Sequence, residues 1–154
     1  VKDNIAFCNP EMPFGKIERA AKIAEADGFI NEMPEKYNAP ISQGGKNVSG
    51  GQRQRLCIAR AVAADAEILV FDDSFSALDY KTDKKVRENL AAEAKGVTKV
   101  VVAQRIGTIM DADLIVVLED GKAVGQGKHA ELLKNCETYR EIALSQLSKE
   151  ELGL

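Results

Sequence analysis

The stretch Ile68-Leu-Val-Phe-Asp-Asp-Ser-Phe-Ser-Ala-Leu-Asp79 joins an apolar run of strand length to two adjacent carboxylates, Asp72 and Asp73. A carboxylate just past the C-terminal end of a buried parallel strand lies where α/β proteins bind ligands. One interpretation is that Asp72 reaches Mg²⁺, directly or through water, while Asp73 orients a water that attacks a phosphate. The other is that the acids cap the turn after the strand. The dipeptide alone leaves both open.

The segments that follow alternate between strand and helix patterns. Apolar runs at 67–71, 99–103 and 114–118 have strand length, and a strong helical pattern at 81–95 separates the first two. This order predicts an α/β fold with a buried parallel sheet. Asp120-Gly121 then predicts a turn into an antiparallel strand.

The composition is that of a soluble domain, with 45% hydrophobic residues, 29% charged residues and a formal charge of −3. Basic and acidic residues are interspersed, so no cationic face for nucleic acid is predicted. No run approaches the roughly 20 apolar residues of a membrane-spanning helix, and the first residues lack the layout of a signal peptide. We therefore expect a soluble chain, and its start at Val1, in VKDNIAF, indicates a fragment of a longer protein.

A second stretch, Val48-Ser-Gly-Gly-Gln-Arg-Gln-Arg55, predicts a helix with an open first turn. Ser49 and Gln52 have the S-x-x-Q spacing of a capping box, which marks a helix start. Gly50 and Gly51 bare the backbone N–H groups, with the helix dipole behind them, and such a turn binds phosphate. Each glycine costs about 1 kcal/mol of helix stability relative to alanine. Close packing of two backbones is the alternative reason for them.

These stretches resemble the motifs of ATP-binding cassette (ABC) ATPases of the multidrug and lipid exporter type. Residues 48–52 are similar to the signature motif, 68–73 to the Walker B strand, 76–79 to the D-loop and 101–105 to the switch strand and loop. The four motifs stand in the order and at the spacing of the family. The resemblance covers nearly the whole chain and implies the second half of a nucleotide-binding domain.

The fold implied by the resemblance is α/β, a partial P-loop NTPase fold. Residues 1–64 would form the helical subdomain with the signature motif, and residues 65–154 the C-terminal part of the RecA-like core. The mostly parallel sheet would lack the Walker A strand, which the family places between the switch strand and the strand at 114–118. Because unpaired strand edges invite pairing with another chain, we expect a piece that is irregular or self-associates.

The resemblance also implies ATP and Mg²⁺ as cofactors. Asp72 would hold Mg²⁺, directly or through water, and Asp73 and Gln104 would be catalytic. The residues that it assigns to nucleotide binding are Ser49, Gly50, Gly51, Gln52 and Asp79. In the family the signature motif faces the ATP held by a second nucleotide-binding domain, so a second such domain is the implied partner.

The G-x-x-x-x-G-K-[ST] phosphate loop does not occur in this sequence, and neither do the aromatic A-loop and the Q-loop glutamine of the family. Phosphoryl transfer is catalysed mostly by positioning and by charge stabilisation, which that loop and its lysine supply. We therefore expect the chain alone neither to bind ATP tightly nor to hydrolyse it.

Two residues depart from the family pattern. Asp73 stands where the family usually has a catalytic glutamate, and Gln104 stands where it usually has a switch histidine. The shorter side chain withdraws the carboxylate by about 1.5 Å, and a displacement near 1 Å can cost on the order of 100-fold in rate. Glutamine keeps a hydrogen-bond donor but offers no positive charge or proton transfer. With an intact signature motif, this pattern predicts the degenerate half of a heterodimer, and a slowly hydrolysing homodimer is the alternative.

The resemblance further implies a transmembrane domain fused upstream, with the full-length protein at the cytoplasmic face of the cell membrane. Two other classes remain open at this point. A soluble ABC ATPase of translation or DNA repair would carry long insertions or a tandem cassette. A non-enzymatic partner domain would clamp ATP and transmit closure without turning it over.

Overall fold

The computed structural model of the protein describes residues 1–153. They form two compact units, the first spanning Val1–Val102 and the second beginning at Ala103. Each unit has a two-stranded sheet and a hydrophobic core of its own. Within the described residues, no helix is long and apolar enough to cross a membrane.

The first unit is mostly helical before its sheet. Its apolar core includes Ala20 and Ala21 of the second helix and Leu56, Ile58 and Ala59 of the fourth, all at most 2% exposed. Small alanines let the two helices approach closely, and the apolar spacing of the fourth helix gives it one buried face. The helices of this unit are α1 (Lys2–Ile5), α2 (Phe14–Ile23), α3 (Asp27–Glu32), α4 (Gly50–Ala63) and α5 (Tyr80–Glu93). Short 3₁₀ turns at Lys36–Asn38 and Gln43–Gly45 interrupt the loop between α3 and α4.

The strands β1 (Ile68–Asp72) and β2 (Thr98–Val102) form the parallel pair that the sequence predicts, with α5 as the crossover between them. Leu69 and Phe71 of β1 are buried in the same core as Leu90 of α5. The Asp73 N–H continues the pairing beyond β1 by donating to the Val102 carbonyl at 3.0 Å. The end of β1 is therefore held in place by β2.

The other face of this pair corrects the expectation of a buried sheet. Val70 of β1 is 63% exposed and Val102 of β2 is 53% exposed. Successive side chains of a strand point to opposite faces, and within residues 1–153 only one face of the pair is covered. The continuous apolar run predicts a sheet that is covered on both faces, and within residues 1–153 this prediction holds for one face only.

The second unit contains a hairpin and three helices. Asp120 and Gly121 at its turn have φ values of 49° and 73°, as a type I′ turn requires at both central residues, so the predicted antiparallel return is confirmed. Ile115, Val117 and Tyr139 are buried in the core of this unit. Its elements are α6 (Ile106–Ile109), β3 (Ile115–Glu119), β4 (Lys122–Gly127), α7 (His129–Asn135) and α8 (Glu137–Gln146).

The predicted α/β class is confirmed, but the strands form two sheets and not one. β1 and β2 are parallel, whereas β3 pairs only with β4, in antiparallel orientation. The two sheets belong to different units. The self-association expected through unpaired strand edges stays a prediction.

Candidate functional site

The first turn of α4 has the capped geometry that the sequence predicts. The Ser49 Oγ accepts a hydrogen bond from the Gln52 N–H at 3.2 Å, and the Gln52 Oε1 accepts one from the Ser49 N–H at 2.9 Å. The N–H groups of Gly50 and Gly51 donate to no acceptor within residues 1–153. They are open to an acceptor from outside, at the positive end of the helix dipole.

The backbone of Ala77 approaches this turn so closely that a side chain at Gly51 would be crowded. A Cβ built on Gly51 would lie 3.1 Å from the Ala77 carbonyl oxygen, whereas one on Gly50 would lie at an ordinary 3.7 Å from the Ala77 Cβ. Backbone packing, the alternative reason for the two glycines, therefore applies to Gly51 and leaves Gly50 unconstrained.

Asp72 and Asp73 end β1 with both side chains at the surface. Asp73 has φ of 47°, the left-handed region that lets the chain turn sharply after the strand. The hydrogen bonds of this turn end on main-chain oxygens: the Asp73 carbonyl accepts from the Ser76 hydroxyl at 3.0 Å and the Asp72 carbonyl from the Ser74 hydroxyl at 3.3 Å. Within residues 1–153 no donor occupies either carboxylate, so the carboxylates do not cap the turn and can serve a ligand.

Gln54 joins the first turn of α4 to the turn after β1, and the sequence analysis missed it. Its Nε2 donates to the Asp73 carbonyl at 3.2 Å and to the Ser76 Oγ at 3.1 Å, and its Oε1 accepts from the Ala77 N–H at 2.9 Å. The one sequence signal that points to Gln54 is its i+3 spacing from Gly51, which puts both residues on one face of the helix.

Asp79 caps the N-terminus of α5. Its carboxylate accepts hydrogen bonds from the Thr82 N–H at 3.0 Å and the Thr82 hydroxyl at 2.7 Å. The pKa of the Asp79 carboxyl lies below its ordinary value, because the Thr82 hydroxyl and then the Thr82 N–H stabilise the charged form. This cap gives Asp79 a structural role beside the nucleotide role that was predicted for it.

The first unit carries seven of the eight predicted site residues, and Gln104 belongs to the second. Gln104 is exposed, and its carbonyl accepts a hydrogen bond from the Gln146 Nε2 at 2.8 Å. The Gln146 Oε1 accepts one from the Ile106 N–H at 2.9 Å. One side chain of α8 thus holds the backbone on both sides of Arg105.

Known proteins with similar sequences identify the family. The model of the ABC transporter family matches residues 1–76. The Toxin RTX-I translocation ATP-binding protein of Actinobacillus pleuropneumoniae is 47% identical over 133 residues. The Alpha-hemolysin translocation ATP-binding protein HlyB of Escherichia coli is 46% identical over 136 residues. The chain belongs to the ABC transporter ATP-binding domain family.

The similarity covers most of this chain but a small part of each relative. The two alignments include 86% and 88% of the chain and 19% of each relative. A solved structure of a bacterial Atm1-family ABC exporter with ATP bound matches 90% of this chain and 24% of that one, with a TM-score of 0.87 and 35% identity. The exporter-type ABC domain and its P-loop NTPase fold, both expected from the sequence, are confirmed.

Mg²⁺ is the metal that this ABC domain would use, and its residues fit one mode of binding it. No group of three or more His, Cys, Asp or Glu side chains within residues 1–153 could enclose a metal ion. Mg²⁺ does not need such a cage, because it keeps several waters and is bound through one or two carboxylates plus substrate phosphates. The exposed carboxylates of Asp72 and Asp73, which accept no hydrogen bond within residues 1–153, fit that mode.

Two surface grooves of the first unit lie away from these residues. Their volumes are about 490 and 520 Å³, and neither is lined by a predicted site residue. Arg55 borders the first, where its guanidinium lies 4.7 Å from the centre of the Phe29 ring and donates to the Glu25 carbonyl at 2.6 Å. Burial lowers the pKa of Arg55. Through these contacts, the Arg55 side chain anchors α4 to the preceding helices.

Gly51→Ala and Gly50→Ala form a matched pair, since each replaces a first-turn glycine with a better helix former. We expect Gly51→Ala to be less stable than Gly50→Ala by about 1–3 kcal/mol, because the added Cβ overpacks against Ala77. Urea unfolding followed by circular dichroism measures this difference. Equal free energies of unfolding would show that the close approach does not constrain residue 51.

The Asp79 cap predicts a pH dependence. Because its folded pKa is lowered, the cap stabilises the fold above the ordinary aspartate value of 3.8 and is lost as the pH falls through the lower folded value. Asp79→Asn still caps a helix but does not titrate. We expect the free energy of unfolding of the wild type, relative to Asp79→Asn, to fall below a pH of about 4. Urea unfolding across that range tests this, and parallel curves would contradict it.

Proposed function

We propose that the chain is part of the ATP-binding domain of an ABC exporter, which couples ATP binding and hydrolysis to transport across a membrane. The observation that carries this proposal is the open, capped first turn of α4, packed against the turn that bears Asp72 and Asp73, in a chain of the ABC transporter family. A phosphate-binding turn and an acidic strand end are the parts that phosphoryl transfer needs beside a phosphate loop.

The signature motif is proposed to bind the terminal phosphate of an ATP held by a second nucleotide-binding domain. The N–H groups of Gly50 and Gly51 supply donors, and the dipole of α4 favours the negative charge. The Ser49 hydroxyl can donate to a phosphate oxygen while it accepts from the Gln52 N–H, because a hydroxyl has one donor and two acceptor sites. Gln52 holds that hydroxyl in place through the capping box.

The chain's own acidic residues are proposed to serve a different ATP. Asp72 would hold Mg²⁺, directly or through water, and the ion would neutralise charge on the phosphates. The Asp73 carboxylate would accept a hydrogen bond from the attacking water and orient it towards the terminal phosphorus. Gln104 would donate its side-chain amide to a phosphate oxygen. Asp79 is proposed to lie beside the nucleotide through its position in the D-loop.

Asp73 and Gln104 support a pairing of unlike subunits. Aspartate places its carboxylate about 1.5 Å short of a glutamate, and glutamine cannot supply the charge of a histidine. Both differences weaken the chain's own site, whereas the signature motif that completes the partner's site is intact. A heterodimer in which this chain forms the degenerate half explains both facts. A homodimer with two slow sites is the alternative.

The wider setting is also a proposal, since the chain spans 19% of the length of its curated relatives. The two relatives are named for Toxin RTX-I translocation and Alpha-hemolysin translocation, which favours an exporter over an ABC ATPase of translation or DNA repair. We propose a fused transmembrane domain and a place at the cytoplasmic face of the membrane. The multidrug and lipid exporter type stays a prediction, and so does the division into a helical subdomain at 1–64 and the C-terminal part of the RecA-like core at 65–154.

Single-turnover ATP hydrolysis by the full-length protein, purified alone, tests the function. We expect slow hydrolysis, and the double substitution Asp73→Glu with Gln104→His should raise the rate on the order of 100-fold by returning the carboxylate to the water. Asp113→Glu with Gln126→His changes the same residue types at exposed positions and should leave the rate unchanged.

Two results would overturn parts of this account. Brisk hydrolysis by the unsubstituted protein alone would contradict the degenerate site and favour the homodimer. No gain from the double substitution would mean that these residues never limited the rate, as expected of a domain that only clamps ATP.

A further inference from the structure

Gln54 makes three hydrogen bonds from α4 to a single turn. Its Nε2 reaches the Asp73 carbonyl and the Ser76 Oγ, at 3.2 and 3.1 Å, and its Oε1 receives the Ala77 N–H at 2.9 Å. We propose that Gln54 is a positioning residue that couples the two ATP sites of the dimer. This inference rests on the proposed function.

The three bonds require the side chain of glutamine. Its amide has a donor nitrogen and an acceptor oxygen on one rigid plane, and the turn presents two acceptors and one donor to that plane. Glutamate would lose both donors and bring its charge to the Asp73 carbonyl. Methionine has a similar length but keeps none of the three bonds. Asparagine is one carbon shorter and cannot span the same gap from α4.

The turn that Gln54 holds is the one that sets the direction of the Asp73 carboxylate. Asp73 is in the left-handed region, with φ of 47°, which is costly for a residue with a side chain and is kept only where surrounding contacts fix it. The bond from Gln54 fixes the carbonyl of this residue, and the Val102 carbonyl fixes its N–H at 3.0 Å. Asp73 is thus held from both sides.

The same turn also presses against the first turn of α4. Ala77 receives the third bond of Gln54 and lies where a Cβ on Gly51 would come within 3.1 Å of its oxygen. The three bonds of Gln54 tie the two turns together, and the close approach of the Ala77 oxygen to Gly51 leaves little space between them. We therefore expect a shift of Asp73 to move the N–H groups of the signature turn.

This linkage joins residues that serve different nucleotides. In the proposed dimer, Asp73 faces the chain's own ATP and Gly50 and Gly51 face the partner's ATP. Gln54 therefore transmits a conformational change at one site to the other. Its loss should make the two sites independent while both still bind nucleotide.

The test uses the full-length dimer and three variants. Gln54→Met removes the bonds at similar length, and Gln54→Glu keeps a polar side chain in case the methionine variant does not fold. Arg53→Met is the matched control, because Arg53 is the neighbour on α4 and donates to Gly44, in a different loop, at 3.1 Å. Hydrogen exchange of the Ala77 amide reports the linkage directly. The rate of ATP hydrolysis per bound nucleotide, measured over a range of ATP concentrations, reports the effect of the linkage.

We expect Gln54→Met to speed Ala77 exchange about tenfold, as the loss of a hydrogen bond does. Its kcat should fall about tenfold, with a KM within a factor of about two and a Hill coefficient that drops from above 1 towards 1. Gln54→Glu should show the same loss of kcat. Arg53→Met should match the wild type in all four quantities.

Several results would overturn the proposal. Unchanged Ala77 exchange in Gln54→Met would mean that the linkage does not exist. Faster Ala77 exchange with an unchanged Hill coefficient would mean that the Gln54 linkage does not couple the two ATP sites. A Hill coefficient of 1 in the wild type would mean the same. If Arg53→Met lost as much kcat and cooperativity as Gln54→Met, the effect would come from weakening α4 in general and not from the Gln54 linkage. A wild type that hydrolyses no ATP in the dimer would instead refute the proposed function, and Ala77 exchange would still decide whether the linkage exists.

Discussion

The close approach of the Ala77 carbonyl to the first turn of α4 is the constraint around which the candidate site is arranged. A Cβ at position 51 would lie 3.1 Å from that oxygen, so α4 approaches the turn after β1 more easily with glycine there than with any other residue. The approach brings Gln54 within reach of Asp73, Ser76 and Ala77. Two segments that are far apart in sequence thereby come to lie side by side. One is a helix start that can bind phosphate, and the other is a strand end that can hold a metal and a water.

Features with a local cause could be predicted from the sequence. The S-x-x-Q spacing predicts the Ser49 cap because both partners lie on one turn, and Asp120-Gly121 predicts the hairpin because both residues adopt positive φ. The alternation of apolar runs with a helical pattern predicts the parallel pair of β1 and β2. Each of these signals lies within a few residues of the structure that it predicts.

Features that depend on tertiary contact could not be predicted in this way. Nothing near Gln54 in the sequence indicates that its amide meets a turn some twenty residues away. The cap that Asp79 forms with Thr82 is local, but it was missed because Asp79 was assigned to a motif. The exposed face of β1 and β2 was missed for a related reason. An apolar strand indicates that both of its faces are covered, but it does not indicate which residues cover them.

The chemistry of the site depends on which groups this chain supplies and which groups a partner domain would supply. The chain offers open N–H groups at Gly50 and Gly51, and carboxylates at Asp72 and Asp73 that accept no hydrogen bond within residues 1–153. In the proposed dimer, Asp73 and Gln104 lower the expected rate at the chain's own site, while the signature turn serves the partner's ATP. This asymmetry between the two sites stays a proposal.

The first turn of α4 is proposed to bind the terminal phosphate of ATP in the dimer. Hydrogen exchange at Gly50 and Gly51 in the full-length dimer, measured with ATP and Mg²⁺ and again with ADP and Mg²⁺, reports this binding. We expect exchange to slow about tenfold or more with ATP and to stay at the nucleotide-free rate with ADP. Equal exchange with both nucleotides would contradict phosphate binding at this turn.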